Sequence, residues 1–490
     1  MNKLLKILVL TIVLLSPRLS QSQSRLITLG EAIKLAQKQS PDYKAMVNRN
    51  QASYWRYRNY QAGFLPQLRL NATLPEYSNL IRRITNDSGQ DIFVSTNQAR
   101  IDGRLSLTQN LPLTGGTFSI SSQLERISIF GNNQSTGYSI VPFSINYFQN
   151  SLFYNPFKWD KKIEPLAYEE AQKEFIENME RISLNTCQRY FGLLKAQIQL
   201  KISQNNLSNQ DTLFQIAKGR FRMGKIAEND LLQMELALLN SRNAVTTNKI
   251  ALKRTSQNLA RYLNLDTEEL ELNVPKDLNL FTVSTETALK EAKSNRKSIV
   301  EFRRRRLEAE KEVARVKGSN RLEVNLNANF GISQQGSVFN DLFQDFNQQQ
   351  NVSVSLGIPI LDWGVSKSRR KLVEASLDLT NTNIEQEQQA FEQEIYLHTL
   401  NWANQRDFLE TSKKAQEIAI KRYNIAKKRY VLGKITITDL NIAQQEQDQS
   451  LVRYLNSLEK FWVDYYTLRR LTLYDFDKKQ KIKTEDLVYD

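Results

Sequence analysis

Few side chains in this 490-residue sequence could do chemistry, and their types point to ionic contacts at helix ends rather than to bond making. There is one histidine, His398, and one cysteine, Cys187, each inside a helical pattern. No Ser/His/Asp constellation accompanies them, and no His, Cys, Asp and Glu spacing suits a metal, so no enzyme activity, metal or cofactor is expected. His398 reads as a solvated or packed residue. Cys187 reads as a small, half-buried hydrophobe that cannot form an intrachain disulfide. Among the charged groups that recur at fixed spacing are two carboxylates, Asp230 and Asp439, and the cations Arg220, Lys225, Arg429 and Lys434. They surround Gly224 and Gly433, with Tyr430 beside the second. Cations in a last helical turn and carboxylates in a first turn complement the helix dipole.

These residues lie in a stretch that occurs twice. IAKGRFRMGKIAENDL, Ile216 to Leu231, and IAKKRYVLGKITITDL, Ile425 to Leu440, share nine of sixteen positions at an offset of 209. Each copy predicts a tight helix-to-helix turn, with Gly224 or Gly433 as the left-handed residue that stops the first helix. Asn229 and Thr438 are the expected N-caps of the returning helices.

The duplication extends over nearly the whole chain. Leu68–Ala72 matches Val324–Ala328 at an offset of 256, which also aligns Ala32, Lys34 and Ala36 with Ala288, Lys290 and Ala292. Phe143–Ile145 pairs with Val352–Val354 at 209, so the first half carries 47 extra residues between Ala72 and Phe143. The expected organisation is a signal segment at 1–24 and a first structural repeat at 25–275 with its insertion within 73–142. A second repeat follows at 276–475, then a charged tail at 476–490.

Composition narrows the class. Only 40% of residues are apolar and mean hydropathy is −0.50, which suits long, thin helices that are wet over much of their surface rather than one large dry core. Lys3 and Lys6, the apolar run Ile7 to Leu15 and the small residues of Ser20 to Ser24 have the layout of a secretory signal. Nine apolar residues are too few to span a bilayer as a helix, and no other stretch is long enough. Removing the signal lowers the net charge from +15 to +12. The densest basic run, Arg303 to Arg306, is flanked by Glu301, Glu308, Glu310 and Glu312, which reads as a salt-laced helix face rather than a nucleic-acid site.

The elements that must carry the turns are long. Helix is expected from Thr28 to about Gly63 and from about Lys161 to Met223, the latter on the order of 90–100 Å in length. Asp230 to about Leu265 and Ser284 to Lys317 follow, then Val365 to Leu432 and Asp439 to about Leu471. Val365, Leu372 and Leu379 add a coiled-coil-like seven-residue spacing. Alternation marks strands at Leu68–Leu74, Phe143–Tyr147, Val324–Phe330 and Val352–Ile358, two per half and four per chain. Two more alternating runs lie in the insertion, joined by LPLTGG; they form an outward hairpin, the favoured reading, or add two strands. Such alternation fits a half-buried soluble sheet or a membrane β-barrel equally. The signal and the isolation of the strand pairs between long helices favour the barrel. Four strands are too few to close one, which calls for several chains.

These residues resemble the TolC-like outer-membrane efflux (outer membrane factor) channel family. The resemblance rests on the duplicated R-[FY]-x-[ML]-G-K-I-x-x-x-D-L turns at Arg220–Leu231 and Arg429–Leu440, the duplicated helix–strand–strand–helix order, and the Thr28–Ala36 opening. It implies an α+β membrane protein: a homotrimeric outer-membrane β-barrel, in contact with outer membrane lipid, continued by a long periplasmic α-helical barrel. The function it implies is a passive exit duct of a tripartite efflux or type I secretion system, served by a periplasmic adaptor and an inner-membrane transporter. The turns would be the periplasmic tip, with Arg220, Gly224, Lys225, Arg429 and Gly433 in adaptor docking and Asp230, Asp439, Tyr430 and Lys434 as gate or tip candidates. Asp439 falls on an acidic gate position of the family. The family's second gate carboxylate would be at Ile442, so any acidic ring here is thinner; an arginine that some members use in the closing network would be at Ile435, with Lys434 beside it as the substitute. For both Asp230 and Asp439 a plain first-turn helix carboxylate is the competing role. The competing function is a periplasmic structural coiled coil or adaptor-like protein without a pore, which explains the helices but not the strand pairs.

Overall fold

The computed structural model describes residues 25–85, 87–131, 134–266, 269–275, 281–320 and 322–483. The expected signal at 1–24, part of the linker between the repeats and the end of the tail lie outside the described residues. The chain divides into two compact units. The first comprises Met1–Asn48, Glu174–Arg296 and Glu392–Asp490; the second comprises Arg49–Lys173 and Lys297–Phe391. Each unit therefore takes pieces from both repeats.

In the first unit the duplication is visible residue by residue. Helix α1 (Leu29–Gln39) starts at a Thr28/Glu31 capping box and buries Ala32 and Ala36 completely. A short strand β1 (Arg25–Ile27) leads into it, and Pro41–Ala62 (α2) follows it. Helix α5 (Thr285–Asn295), capped by Ser284, buries Ala288 and Ala292 in the same way and is followed by α6 (Lys297–Ser319). The helices expected over 28–63 and 284–317 are thus each broken once, at Ser40 and Arg296, whose ψ angles are 153° and 148°. Pro41 disfavours a helical Ser40. Arg296 carries no such signal; its guanidinium contacts Glu177 at 3.1 Å and Glu394 at 3.5 Å.

Helix α3 (Pro156–Arg222) contributes its first 18 residues to the second unit and the rest to the first. The core of the first unit gathers on it. Cys187, Tyr190, Phe191, Leu193 and Leu194 are buried, and the Tyr190 hydroxyl donates to the carbonyls of Ile27 and Asn273 at 3.1 and 2.7 Å. These bonds hold β1 and the segment after β6 (Leu270–Leu272), its parallel partner. Burial raises the Cys187 thiol pKa well above its usual range, so it stays a protonated, packed group. The helix expected over Val365–Leu432 is two helices, α7 (Val365–Ala403) and α8 (Gln405–Val431), interrupted at Asn404. There the Asn404 side chain donates to the Leu400 carbonyl, and Trp402 donates to the Phe281 carbonyl at 2.9 Å.

The second unit holds one six-stranded antiparallel sheet. Strands β2 (Gln67–Thr85), β3 (Asp91–Asn110), β4 (Thr117–Phe130), β5 (Ser135–Gln149), β7 (Glu323–Gly336) and β8 (Asn347–Gly357) are neighbours in that order. The count of four strands is corrected to six, because the insertion pairs in the sheet: β3 with β2 over almost its whole length, and β4 between β3 and β5. What projects is only the end of the β2–β3 hairpin, where Asp91–Thr96 lie beyond the reach of β4. Pairing depends on partners distant in sequence, which alternation alone cannot identify.

The register sorts side chains into two faces. Leu68, Leu70, Leu105, Leu107, Ile120, Ile145, Phe330, Val352 and Val354 fall on one face, and most of the strand-edge members stay exposed. Over Arg104–Thr108 of β3 and the residues level with them on its neighbours the opposite face is a polar ladder; toward the β2–β3 hairpin end it also carries Leu80, Val94, Ile127 and Ile129. Arg104 donates to Gln123, Ser121 contacts Ser144 at 2.9 Å, Asn146 bonds Ser144 and Asn329, and Gln349 bonds Ser333. In the helices of this unit the basic run is salt-laced as expected, with Arg304 on Glu170 at 2.7 Å and Arg305 on Glu387 at 2.6 Å. No described helix is long and apolar enough to cross a membrane.

Candidate functional site at the paired turns

The two duplicated turns belong to the first unit and share one small core. At the end of α3, Gly224 adopts φ +69°, the Gly224 amide donates to Phe221 O and the Lys225 amide donates back to Arg220 O at 2.9 Å. At the end of α8, Gly433 adopts φ +72°, with the matching bonds from Gly433 to Tyr430 O and from Lys434 to Arg429 O, also 2.9 Å. These paired bonds satisfy carbonyls that a helix end would leave open, and they require a left-handed residue. A Cβ at Gly224 would meet nothing within 4 Å, and at Gly433 only Arg220 Nη2 at 3.9 Å. Glycine is therefore needed there for backbone conformation, not for space.

Apolar side chains from both copies close the core: Leu213 and Ala217 from α3, Met234 from α4 (Glu228–Tyr262), Tyr423 and Tyr430 from α8, and Ile437 and Leu440 from α9 (Ile437–Thr472). Arg220 ties the copies together. Its Nη2 donates to the carbonyls of Tyr430 at 3.3 Å and Val431 at 3.1 Å, and its guanidinium carbon sits 5.3 Å from the centre of the Tyr430 ring. The ring is buried, and burial raises its pKa; nearby Arg220 opposes the rise and Asp230 adds to it. Tyr430 is thus a neutral phenol against a cation at neutral pH.

The returning helices start two residues earlier than Asn229 and Thr438 would have them. Ala227 is the N-cap of α4 and makes no side-chain cap bond. Thr436 is the N-cap of α9 in a reciprocal capping box with Asp439. Asp439 Oδ2 accepts from the Thr436 hydroxyl at 2.7 Å and from its amide at 3.1 Å, and the Asp439 amide donates to Thr436 Oγ1 at 3.2 Å. These bonds, helped by Arg429, hold the Asp439 carboxyl below its ordinary range. The signal was present as T-x-x-D, with the acidic residue three positions after the cap.

The site residues divide between two openings. Arg220, Lys225, Asp230 and Tyr430 line the cleft between the turns, while Arg429, Lys434 and Asp439 line a groove formed by the second copy alone. Ile435 packs half-buried against the core and Ile442 is exposed. A polar ladder up the helices went unforeseen: Asn206 on Asp448 at 2.8 Å, Asn209 between Tyr423 and Lys427, and Gln210 on Gln444. Asn206, Asn209 and Gln210 precede Leu213 and Ala217 at helical spacing, which is the trace it leaves in the sequence. Burial raises the pKa of Asp448.

Comparison with known proteins adds the fold and a family match over part of the chain. Residues 288–472 match the family model of the outer membrane efflux proteins. No curated protein matches the sequence. Among solved structures, the chain is similar to the Campylobacter jejuni CmeC outer membrane channel, with a TM-score of 0.66 at 14% identity over 93% of this chain and 87% of that one. It is similar to the outer membrane protein VceC of Vibrio cholerae, with a TM-score of 0.63 at 14% identity over 93% and 97%. The Neisseria gonorrhoeae MtrE outer membrane channel aligns with a TM-score of 0.58 at 13% identity over 93% and 91%.

Proposed function

We propose that three copies of this chain, whose residues 288–472 match the outer membrane efflux protein family and whose fold is shared with solved outer-membrane channels, form a passive exit duct through the outer membrane. In this reading the sheets close a common β-barrel in outer membrane lipid and the helices continue it as a tunnel into the periplasm. The paired turns are its tip, where a periplasmic adaptor of a tripartite efflux or type I secretion system docks and delivers cargo from an inner-membrane transporter.

The observation that carries the proposal is the six-stranded sheet, which over the span from Arg104 to Thr108 and the residues level with them has one aliphatic and aromatic face, largely exposed along its edge strands, and one polar face. An exposed apolar face of this extent is costly in water and suits lipid. A pore-less periplasmic coiled coil has no use for it. At the tip, Arg220, Gly224, Lys225, Arg429 and Gly433 form the docking surface. Asp230, Asp439, Tyr430 and Lys434 set the charge and closure of the opening.

Protein extracted from outer membranes in detergent should have the native mass of three chains and should form ion-conducting pores in planar bilayers. A stable, detergent-free monomer would overturn the proposal.

A further inference from the structure

We infer that the wall of the pore has eighteen strands, six from each of three copies, and that β3 and β4 are full members of it. The inference rests on the trimeric reading above and adds the strand count, the edges that join, and the width.

The repeat alignment pairs β2 with β7 and β5 with β8, through Leu68–Ala72 with Val324–Ala328 and Phe143–Ile145 with Val352–Val354. In the second repeat β7 and β8 are direct neighbours. In the first, β3 and β4 stand between β2 and β5, and both carry fourteen mutually paired positions from Asn97–Phe130 to Asn110–Thr117. An ornament outside the barrel would not keep the two-faced pattern. These strands do keep it over Ala99–Thr108 and Thr117–Glu125: Leu105, Leu107 and Ile120 continue the apolar face, while Arg104, Ser106, Ser121 and Gln123 continue the polar one; beyond Glu125 it reverses, with Arg126 on the apolar side and Ile127 and Ile129 on the other. Both strands exceed the nine to eleven residues or so that cross a bilayer at the usual tilt.

Six strands are too few to close on themselves, since a closed barrel needs about eight. The free edges are β2 and β8, and every residue of β8 is exposed. A second copy of the same chain is the occupant that fits. Because the number of strands per chain is even and all neighbours are antiparallel, β8 of one copy meets β2 of the next antiparallel, so the ring closes with one pattern throughout. Both edges also present the same apolar alternation, Leu68, Leu70 and Leu74 on one and Val352, Val354 and Leu356 on the other.

Strands spaced about 4.8 Å apart and tilted about 40° give eighteen of them a backbone diameter of roughly 36 Å. Side chains cannot fill such a lumen, and barrels of 16–18 strands hold an aqueous channel. With polar side chains lining it, the wall admits hydrated cargo wider than an α-helix, which measures about 10–12 Å. Size selection then falls to the tip and not to the barrel.

The test uses full-length trimers, first verified by native mass and reconstituted in liposomes, carrying Ser106→Cys or Leu107→Cys. Native Cys187 is buried and serves as the unlabelled background. A membrane-impermeant maleimide should label Ser106→Cys and leave Leu107→Cys unlabelled, whereas a lipid-partitioning maleimide should label Leu107→Cys. Electron cryo-microscopy of the same trimers should count eighteen strands. Labelling of both cysteines by the impermeant reagent, or a wall of twelve strands, would overturn the inference and leave the trimeric duct standing. Failure to find trimers would remove the duct itself.

Discussion

The two turns share nine of sixteen residues, yet they are held together by different means. The Gly433 turn is closed from both sides, by the Thr436/Asp439 capping box behind it and by Arg220 on its carbonyls in front. The Gly224 turn has neither: its N-cap, Ala227, offers no capping side chain, and Arg429, the equivalent of Arg220, lines a groove formed by the second copy alone. Duplication has preserved the backbone path while single side chains, Ala227 against Thr436 above all, have made one turn firmer than the other. An assembly that docks a partner on one turn and opens at the other could use such a difference.

The largest expected effect breaks the equivalence outright. Gly433→Trp forces a bulky side chain into a left-handed residue, at a cost on the order of 1 kcal/mol or more, and pushes toward Arg220 Nη2 3.9 Å away. Gly224→Trp meets the same backbone cost but open space. Trimers of both variants should form with unchanged native mass. Retention of a periplasmic adaptor should fall at least tenfold for Gly433→Trp and by less for Gly224→Trp. Equal retention by the wild type and Gly433→Trp would remove the turns from docking.

Next in size is the arginine pair. Arg220→Ala loses two charge-assisted hydrogen bonds and the contact with the Tyr430 ring, roughly 1–3 kcal/mol of local stability. Arg429→Ala should cost far less, because Arg429 is exposed. Hydrogen exchange at residues 431–435 should accelerate about tenfold or more in Arg220→Ala and stay within twofold in Arg429→Ala. Comparable acceleration in both would mean that the turns are equivalent after all.

How far these features could be read in advance differs between the parts. The glycines at the turns were legible because a left-handed helix stop has one favoured residue. The caps were misplaced because Asn229 and Thr438 are good capping types, whereas the cap actually used in the first copy, Ala227, has no capping side chain at all. The break at Asn404 has no Gly or Pro to announce it. The strands of the insertion were visible as alternation, but their place between β2 and β5 was not, because pairing is a contact between residues far apart in the chain. Arg220 could be recognised as a helix-end cation, but not as the residue that grips the other repeat.

The caps can be exchanged. Thr436→Ala removes the hydroxyl that both accepts from the Asp439 amide and donates to its carboxylate, and should cost about 1 kcal/mol in the first turn of α9. Ala227→Thr places a hydroxyl three residues before Asp230, the spacing of a capping box, and should stabilise the start of α4 by about 0.5–1 kcal/mol. Exchange rates of the amides at 229–231 and 438–440 would show the two turns moving toward each other in stability. No gain from Ala227→Thr would mean that the first turn is kept loose by something other than its missing cap.

The smallest effect is a titration. The Asp439 carboxyl is held below its ordinary range first by the Thr436 hydroxyl, then by the Thr436 amide, with Arg429 adding. A depressed folded pKa means that its contribution to helix stability is complete above the unfolded value and is lost as pH falls through the folded one. The window therefore lies below about pH 4. Protection of the amides at 438–440, corrected for the intrinsic pH dependence of exchange, should decline on acidification from pH 5 to pH 3 in the wild type. In Thr436→Ala the decline should be smaller, because the hydroxyl bond that most favours the charged carboxylate is gone and only the amide of residue 436 and Arg429 remain. If wild type and variant decline alike, Asp439 does not depend on its cap, and the difference between the turns reduces to Arg220 alone.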